Sequence, residues 1–256
     1  MNVFVMVDME GISGICCTKQ THFVEPEYQR ARQYLAWDVN ACLEGCMAGG
    51  ARKIVVRDAH GRGFNFPLDM LDPRAEYIQG ASAAGRMPNI GAFDGLILVG
   101  YHGMAGTAGA VIDHTWSYSW QNFYINGRKS GEIALEAGIA GENGVPVLMV
   151  SGDDKACREA KALLKDVITV QVKKGLDSEG AQLLSKARAH QLIREGAEQA
   201  CRQYKRFKPC KFKAPVTMRL EMTTRNRIPD RPGVKVIDGR TYEVRARTVE
   251  QALNML

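Results

Sequence analysis

Residues 3–14 read V-F-V-M-V-D-M-E-G-I-S-G, and the fold class follows from this stretch. Five apolar residues, Val3 to Val7, run without a break into Asp8, Glu10, Gly11 and Gly14. A short, continuous, β-prone run suits a strand buried on both faces of a parallel sheet. The carboxylates fall where such a strand should end, and in open α/β sheets functional groups gather beyond the carboxyl ends of the strands. Asp8 and Glu10 are two residues apart, so an extended segment points them to the same side. Two carboxylates converging there repel each other unless a cation or a shared proton lies between them. For this pair alone a metal site and a blander arrangement, one group capping a helix and the other solvated, are both open.

The pattern repeats along the chain. Lys53 to Val56 runs into Arg57-Asp58-Ala59-His60, Gly95 to Val99 into Gly100-Tyr101-His102, and Val145 to Val150 into Ser151-Gly152-Asp153-Asp154. Between these runs, Pro26 to Met47 carries Tyr28, Ala31, Leu35, Val39, Cys42 and Cys46 at helical spacing, which makes one apolar stripe. Further helices are expected from Glu132 to about Ala140 and from Asp154 to Leu164, with a strand over Val167 to Val172. This alternation predicts a mostly parallel, three-layer α/β/α sheet domain over residues 1–172. From Lys173 the character changes to a long helix near 185–204, strands near 215–222, 234–236 and 241–246, and a final helix opened by Thr248 and Gln251. A smaller α+β domain over 173–256 is the expectation.

The composition narrows the class. With 45% hydrophobic and 24% charged residues among 256, the chain is ordinary for a soluble globular protein. Much of the net charge of +6 lies in Lys205 to Lys213, where lysines and an arginine alternate with Phe207 and Phe212. No nucleic-acid module surrounds that run, so it reads as a helix end and linker, and no nucleic-acid partner is expected. Seven scattered cysteines, an odd count, suggest reduced thiols and a cytoplasmic setting. The absence of a leader or a long apolar run leads to the expectation of no membrane contact. No dinucleotide, Walker A or nucleophile-elbow motif occurs, which removes the commonest nucleotide and serine-hydrolase readings.

Strand ends therefore gather Asp8 and Glu10, Asp58 and His60, His102, and Asp153 and Asp154 at one edge of the sheet, with His114 in a turn shortly after. Carboxylates mixed with imidazoles, without thiolates, suit zinc, manganese, cobalt or iron. Such a set can hold two ions, and a two-metal centre activates water and clamps the oxygens of a tetrahedral species. That chemistry is hydrolysis of an amide, ester or phosphoester.

Val7 to Gly14, Asp58-Ala59-His60, Gly100-Tyr101-His102, His114-Thr115, Phe123-Tyr124-Ile125-Asn126, Gly131-Glu132 and Pro146 to Asp154 together resemble the zinc-dependent D-aminopeptidase family, peptidase family M55. The motifs come in order over roughly the first two-thirds of the chain. The resemblance implies two Zn2+ ions (Mn2+ or Co2+ being chemically possible) held by Asp8, Glu10, His60, His102 and Glu132, with Asp8 bridging and His114 catalytic, as nucleophile or proton carrier. It implies removal of D-residues, notably D-Ala, from short peptides by a ring-shaped homo-oligomer, a decamer whose sites face an internal chamber. Glu132 enters through the resemblance alone. The chain departs from the family pattern at Met6 and Asp113, where serine is usual; Asp113 could tune His114 or attract a substrate amine. A two-metal phosphoesterase, which would need a cationic clamp such as Arg57 and Arg62, and a non-catalytic, metal-containing peptide-binding protein are the rival readings.

Overall fold

The computed structural model describes residues 1–225 and 227–256. The chain begins with β1 (Asn2–Val7), α1 (Glu27–Ala48), β2 (Lys53–Asp58), β3 (Glu76–Ile78) and β4 (Gly95–Tyr101). It continues through β5 (Trp120–Ile125), β6 (Arg128–Lys129), α2 (Glu132–Glu142), β7 (Val147–Asp153) and α3 (Asp154–Leu164). Next come β8 (Ile168–Asp177), β9 (Gly180–Leu183) and α4 (Lys186–Arg202). The last elements are β10 (Val216–Met222), β11 (Val234–Val236), β12 (Thr241–Ala246) and α5 (Val249–Leu253).

Seven strands form the main sheet in the order β3-β2-β1-β4-β7-β8-β9. Neighbours are parallel except for the β8-β9 pair. From β1 the chain winds outward through β2 to β3, then returns to β4 on the other side of β1. The direction of winding thus reverses between β1 and β4, and ligands of open α/β sheets bind outside such a reversal. The alternation along β1 separates two cores. Val3, Val5 and Val7 pack with α1 and α4; Phe4 and Met6 face α2, α5 and a second sheet.

That second sheet is antiparallel, five strands in the order β11-β12-β10-β5-β6. It draws β5 and β6 from the first part of the chain and the rest from the tail. Residues 172 and 173, where the sequence suggests a division, are consecutive within β8, and β9 and α4 complete the main sheet's side of the molecule. Val216, Met218, Leu220 and Val244 share one core with Phe4, Met6 and Leu98. The basic connector is anchored by its aromatics: Phe207 is buried, and Phe212 lies against Gly138. None of the described helices is long and apolar enough to cross a membrane.

α1 and α4 approach so closely that a Cβ on Gly45 would lie 2.2 Å from the carbonyl oxygen of Arg194. Backbone, unlike a side-chain tip, cannot swing aside. Gly45→Ala should therefore cost about 1–3 kcal/mol through overpacking, read as a lowered midpoint in thermal or urea unfolding.

Candidate metal centre

The two strands flanking the winding reversal are stitched together at their exits. The Asp8 amide donates to Val99 O at 2.9 Å, and the Gly11 amide to Gly100 O at 2.7 Å. Only glycine fits at two of these positions. A Cβ on Gly11 would lie 2.0 Å from Tyr101 O, and one on Gly100, whose φ is +76°, would lie 2.3 Å from Asp8 O. The close passage puts Asp8 and Glu10 beside His102. Below the loop, Lys173 is fully buried, and its Nζ donates to the carbonyls of Glu10, Ile12 and Ile15 at 2.5, 2.8 and 2.7 Å. All three ammonium protons are thus spent on the segment that carries Glu10.

Asp8, Glu10, His102 and Glu132 are all buried. His102 Nε2 lies 3.3 Å from Asp8 Oδ2 and 3.4 Å from Glu132 Oε1. His60 Nε2 lies 3.1 Å from Glu10 Oε1, and His114 Nε2 lies 3.7 Å from Glu132 Oε1. Each imidazole is oriented from behind. His102 Nδ1 is 3.0 Å from Gly103 O, His114 Nδ1 is 2.9 Å from Ile112 O, and His60 Nδ1 is 3.3 Å from Asn65 Oδ1. A backbone carbonyl accepts only from an N–H, so His102 and His114 carry that proton on Nδ1 and turn Nε2 to the site. The rings of His102 and His114 stack with centroids 4.1 Å apart, and Tyr118 stacks on the far side of His114. Trp116, at φ +62°, donates its amide to Glu132 Oε1 at 2.7 Å. A bulky residue in the left-handed region is strained backbone, here spent on fixing a carboxylate.

Asp8, Glu10, His60, His114 and Glu132 open onto a cavity of about 370 Å³, also lined by His22 and Arg86. Two sets of ligand atoms, His102-His114-Glu132 and Asp8-Glu10-His102, each lie within 4.8 Å of one another. Asp8 Oδ2, Glu10 Oε2 and His102 Nε2 are buried without hydrogen-bond partners. Orphaned, convergent oxygen and nitrogen donors of this kind fit a zinc-type ion.

The electrostatics express the same crowding. Burial, and then the charge of Glu10, push Asp8 up to about 6. Burial alone would also raise Glu10 and Glu132. His60 with the other imidazoles instead holds Glu10 well below the usual range, and His102 above all brings Glu132 down to about 2. Burial would lower His60, but Glu10 overrides it and raises the imidazole to about 10. Buried anions and imidazoles compensate each other here, and a divalent cation can take over that compensation by displacing the imidazole protons.

The candidate residues Asp8, Glu10, His60 and His102, and Glu132 from the family resemblance, are therefore brought together, with His114 Nε2 3.7 Å from Glu132. Other candidates from strand ends are not. Asp58 accepts from the amide and Nδ2 of Asn65 and so shapes the His60 loop. Asp153 caps α3, accepting from Lys155 and Ala156 amides, and Asp154 accepts from Gly175 N. Asp113 is engaged by the Gly106 amide at 2.8 Å, and Met6 is buried in the core. Sequence reasoning missed Lys173, Asn65, Trp116, Tyr118 and Arg86. Glu136, one turn after Glu132 on an apolar helix, was the one visible hint of a charged partner nearby.

Comparison with known proteins gives concordant results. The family model for peptidase M55, D-aminopeptidase, matches residues 1–256. A D-aminopeptidase of Bacillus subtilis (strain 168) is 34% identical over 211 residues, covering 82% of this chain and 77% of the relative. The solved structure of the Zn-dependent D-aminopeptidase DppA from Bacillus subtilis, a self-compartmentalizing protease, superposes with a TM-score of 0.95 at 30% identity, covering 100% of this chain and 96% of that one.

Lys173→Met should strand three buried carbonyls and loosen the Glu10 loop. We expect a loss on the order of 3 kcal/mol in unfolding free energy, with weaker zinc retention in a chelator competition. Unchanged stability and zinc retention would show that other donors replace the ammonium.

Proposed function

Because the chain belongs to the peptidase M55 family of D-aminopeptidases, we propose that it is a zinc-dependent hydrolase removing N-terminal D-residues, D-Ala among them, from short peptides. The observation that carries this reading is the convergence of Asp8, Glu10, His60 and Glu132 on one cavity, with the buried His102 within 3.4 Å of Asp8 and Glu132. We assign these five as ligands of two zinc ions with Asp8 between them; manganese and cobalt accept the same donors. Zinc, when bound, polarises the scissile carbonyl and lowers the pKa of water.

The chain's own groups do the rest. Asp8, Glu10 and Glu132 would offset most of the charge of the two ions, so that the substrate's amino group meets a centre of small net charge. His114, held by Ile112 O and by stacking between His102 and Tyr118, presents Nε2 to the same space. From there Nε2, which carries no proton in the neutral ring, takes up a proton from the attacking water and then delivers it to the leaving nitrogen or, as imidazolium, stabilises the developing oxyanion; both roles need the same atom in the same place. Tyr118 and Trp116 narrow the mouth and limit water.

A ring-shaped homo-oligomer, a decamer with sites facing inward, belongs to the same proposal, supported by the self-compartmentalizing relative and by exposed Phe23, Val24 and Phe64. A cytoplasmic setting rests on the odd count of seven cysteines.

Hydrolysis of matched D-Ala and L-Ala p-nitroanilides, before and after chelation and after zinc is restored, tests the reading. Chelator-sensitive turnover favouring D-Ala is expected. Preference for L-Ala would overturn the substrate assignment, and no turnover with zinc bound would overturn the peptidase. His114→Ala should lower kcat by about 10²–10⁴-fold; zinc content measured alongside separates a lost proton donor from a lost ligand.

A further inference from the structure

Away from its carboxylate floor the cavity wall turns cationic. Arg86 lines the same cavity as Asp8, Glu10 and Glu132, and also two adjoining cavities of about 420 and 330 Å³. Arg57 lines both of these neighbours. Arg86 is firmly placed. Its Nε donates to Glu136 Oε1 at 2.7 Å, Nη2 lies 2.5 Å from the same oxygen, and its backbone amide donates to Glu250 Oε1 at 2.8 Å. Its guanidinium sits 4.5 Å from the ring centre of Trp116, the residue whose amide holds Glu132. One edge of the fork, Nε and Nη2, is thus used, and Nη1 remains.

Arg57 is the more telling residue. Its Nη1 is buried without a hydrogen-bond partner. The adjacent carboxylate, Asp58, is taken up by Asn65, and among the described residues Arg57 has no ion-pair partner. Burial and the nearby charge of Arg86 disfavour its charged state and outweigh the opposing pull of Asp58 and Glu136. A buried, unpaired guanidinium nitrogen is costly and rare in folded proteins. An anion lying between Arg57 and Arg86 would satisfy that nitrogen and offset the repulsion of the two cations.

Guanidinium forks match planar carboxylates two bonds at a time. On the peptidase reading above, the substrate's amine and scissile carbonyl occupy the carboxylate-imidazole end of the cavity. The anionic group of a short peptide that reaches the neighbouring wall is its own C-terminus. We propose that Arg57 and Arg86 form a subsite for the C-terminal carboxylate of a short peptide, so that the enzyme selects substrates with a free C-terminus close behind the scissile bond. Arg86 then has two roles, pairing with Glu136 and binding substrate; Arg57 makes no ion pair among the described residues and is freer to serve the second.

The test compares kcat/KM for D-Ala-D-Ala and for D-Ala-D-Ala amide on the zinc-loaded protein. The free acid should be favoured by about tenfold or more, mainly through KM, as expected for charge-assisted hydrogen bonds. Arg57→Gln should bring the acid-to-amide ratio towards one. Arg57→Lys, which keeps the charge and loses the fork, should give an intermediate ratio, and serves if the glutamine variant does not fold. Equal kcat/KM for acid and amide in the unsubstituted enzyme, or a ratio unmoved by either substitution, overturns the subsite while leaving the peptidase standing. Turnover of neither substrate overturns the peptidase reading and the subsite with it.

Discussion

The packing of like charge at the point where the sheet reverses its winding is the constraint on which this structure depends. Asp8, Glu10 and Glu132 are buried within reach of one another, and Glu136 lies fully buried one turn further along α2. Taking several carboxylates out of water is expensive unless each finds a counter-charge in good geometry. Around the first three the imidazoles of His60 and His102 supply it; around Glu136, Arg86 and the hydroxyl of Tyr101 do so. The surroundings follow from this need for placement. Imidazoles tied at Nδ1 cannot rotate away, a left-handed Trp116 turns its amide to Glu132, and two glycines let the β1 and β4 exits pass within backbone contact.

This logic also decides what could be read in the sequence. Asp8, Glu10, His60 and His102 were legible because each follows an apolar strand, and parallel strands put their ends at one edge. The mostly parallel sheet and its helices followed from the same alternation, while the strand order, β9 and the β5-β6 contribution to the second sheet did not, because nothing local encodes which sheet a short strand joins. Glu132 opens a helix instead of ending a strand, so its place needed the family pattern. Asp153 was misjudged because a strand that runs directly into a helix uses its terminal carboxylate as a cap. Lys173 was invisible for a different reason. The β7-β8 register shifts between Gly152 and Asp153, so Val172 and Lys173 are both buried and the alternation that would send the lysine outward fails. Its partners lie some 160 residues earlier in the chain, a contact that no local pattern announces.

The tail is not an appendage to this site. The His114 loop leads into β5, whose partner β10 comes from the tail, with Met222 opposite Trp120. Just before β5, Ser119 O accepts from Thr223 N at 2.9 Å, and Asn122 donates to Glu221 at 2.8 Å. Glu250, near the start of α5, fixes the backbone of Arg86. The late segment, so different in character from the first two-thirds, therefore braces the loop that presents His114, Trp116 and Tyr118 and holds the arginine facing them. A substitution in β10 or α5 can thus reach the chemistry through backbone placement without any contact with the ligands.

The carboxylate-imidazole centre at one end of the cavity, with Arg86 on its wall and Arg57 in the two adjoining cavities, gives the cleft two chemically distinct ends. A free short peptide is itself dipolar, an amine at one end and a carboxylate at the other, a few ångströms apart. In a long peptide those charges are far separated, and in a blocked peptide one of them is missing. The two groups of a short peptide reach both ends at once, and the low dielectric of the cleft strengthens the contact of the carboxylate with the guanidinium groups. The same arrangement disfavours the inverted orientation at its arginine end, because an ammonium placed against Arg86 would meet a like charge. Orientation of the substrate is thereby set before any bond is polarised, by the charges that the fold had to bury and balance in order to build the metal site at all.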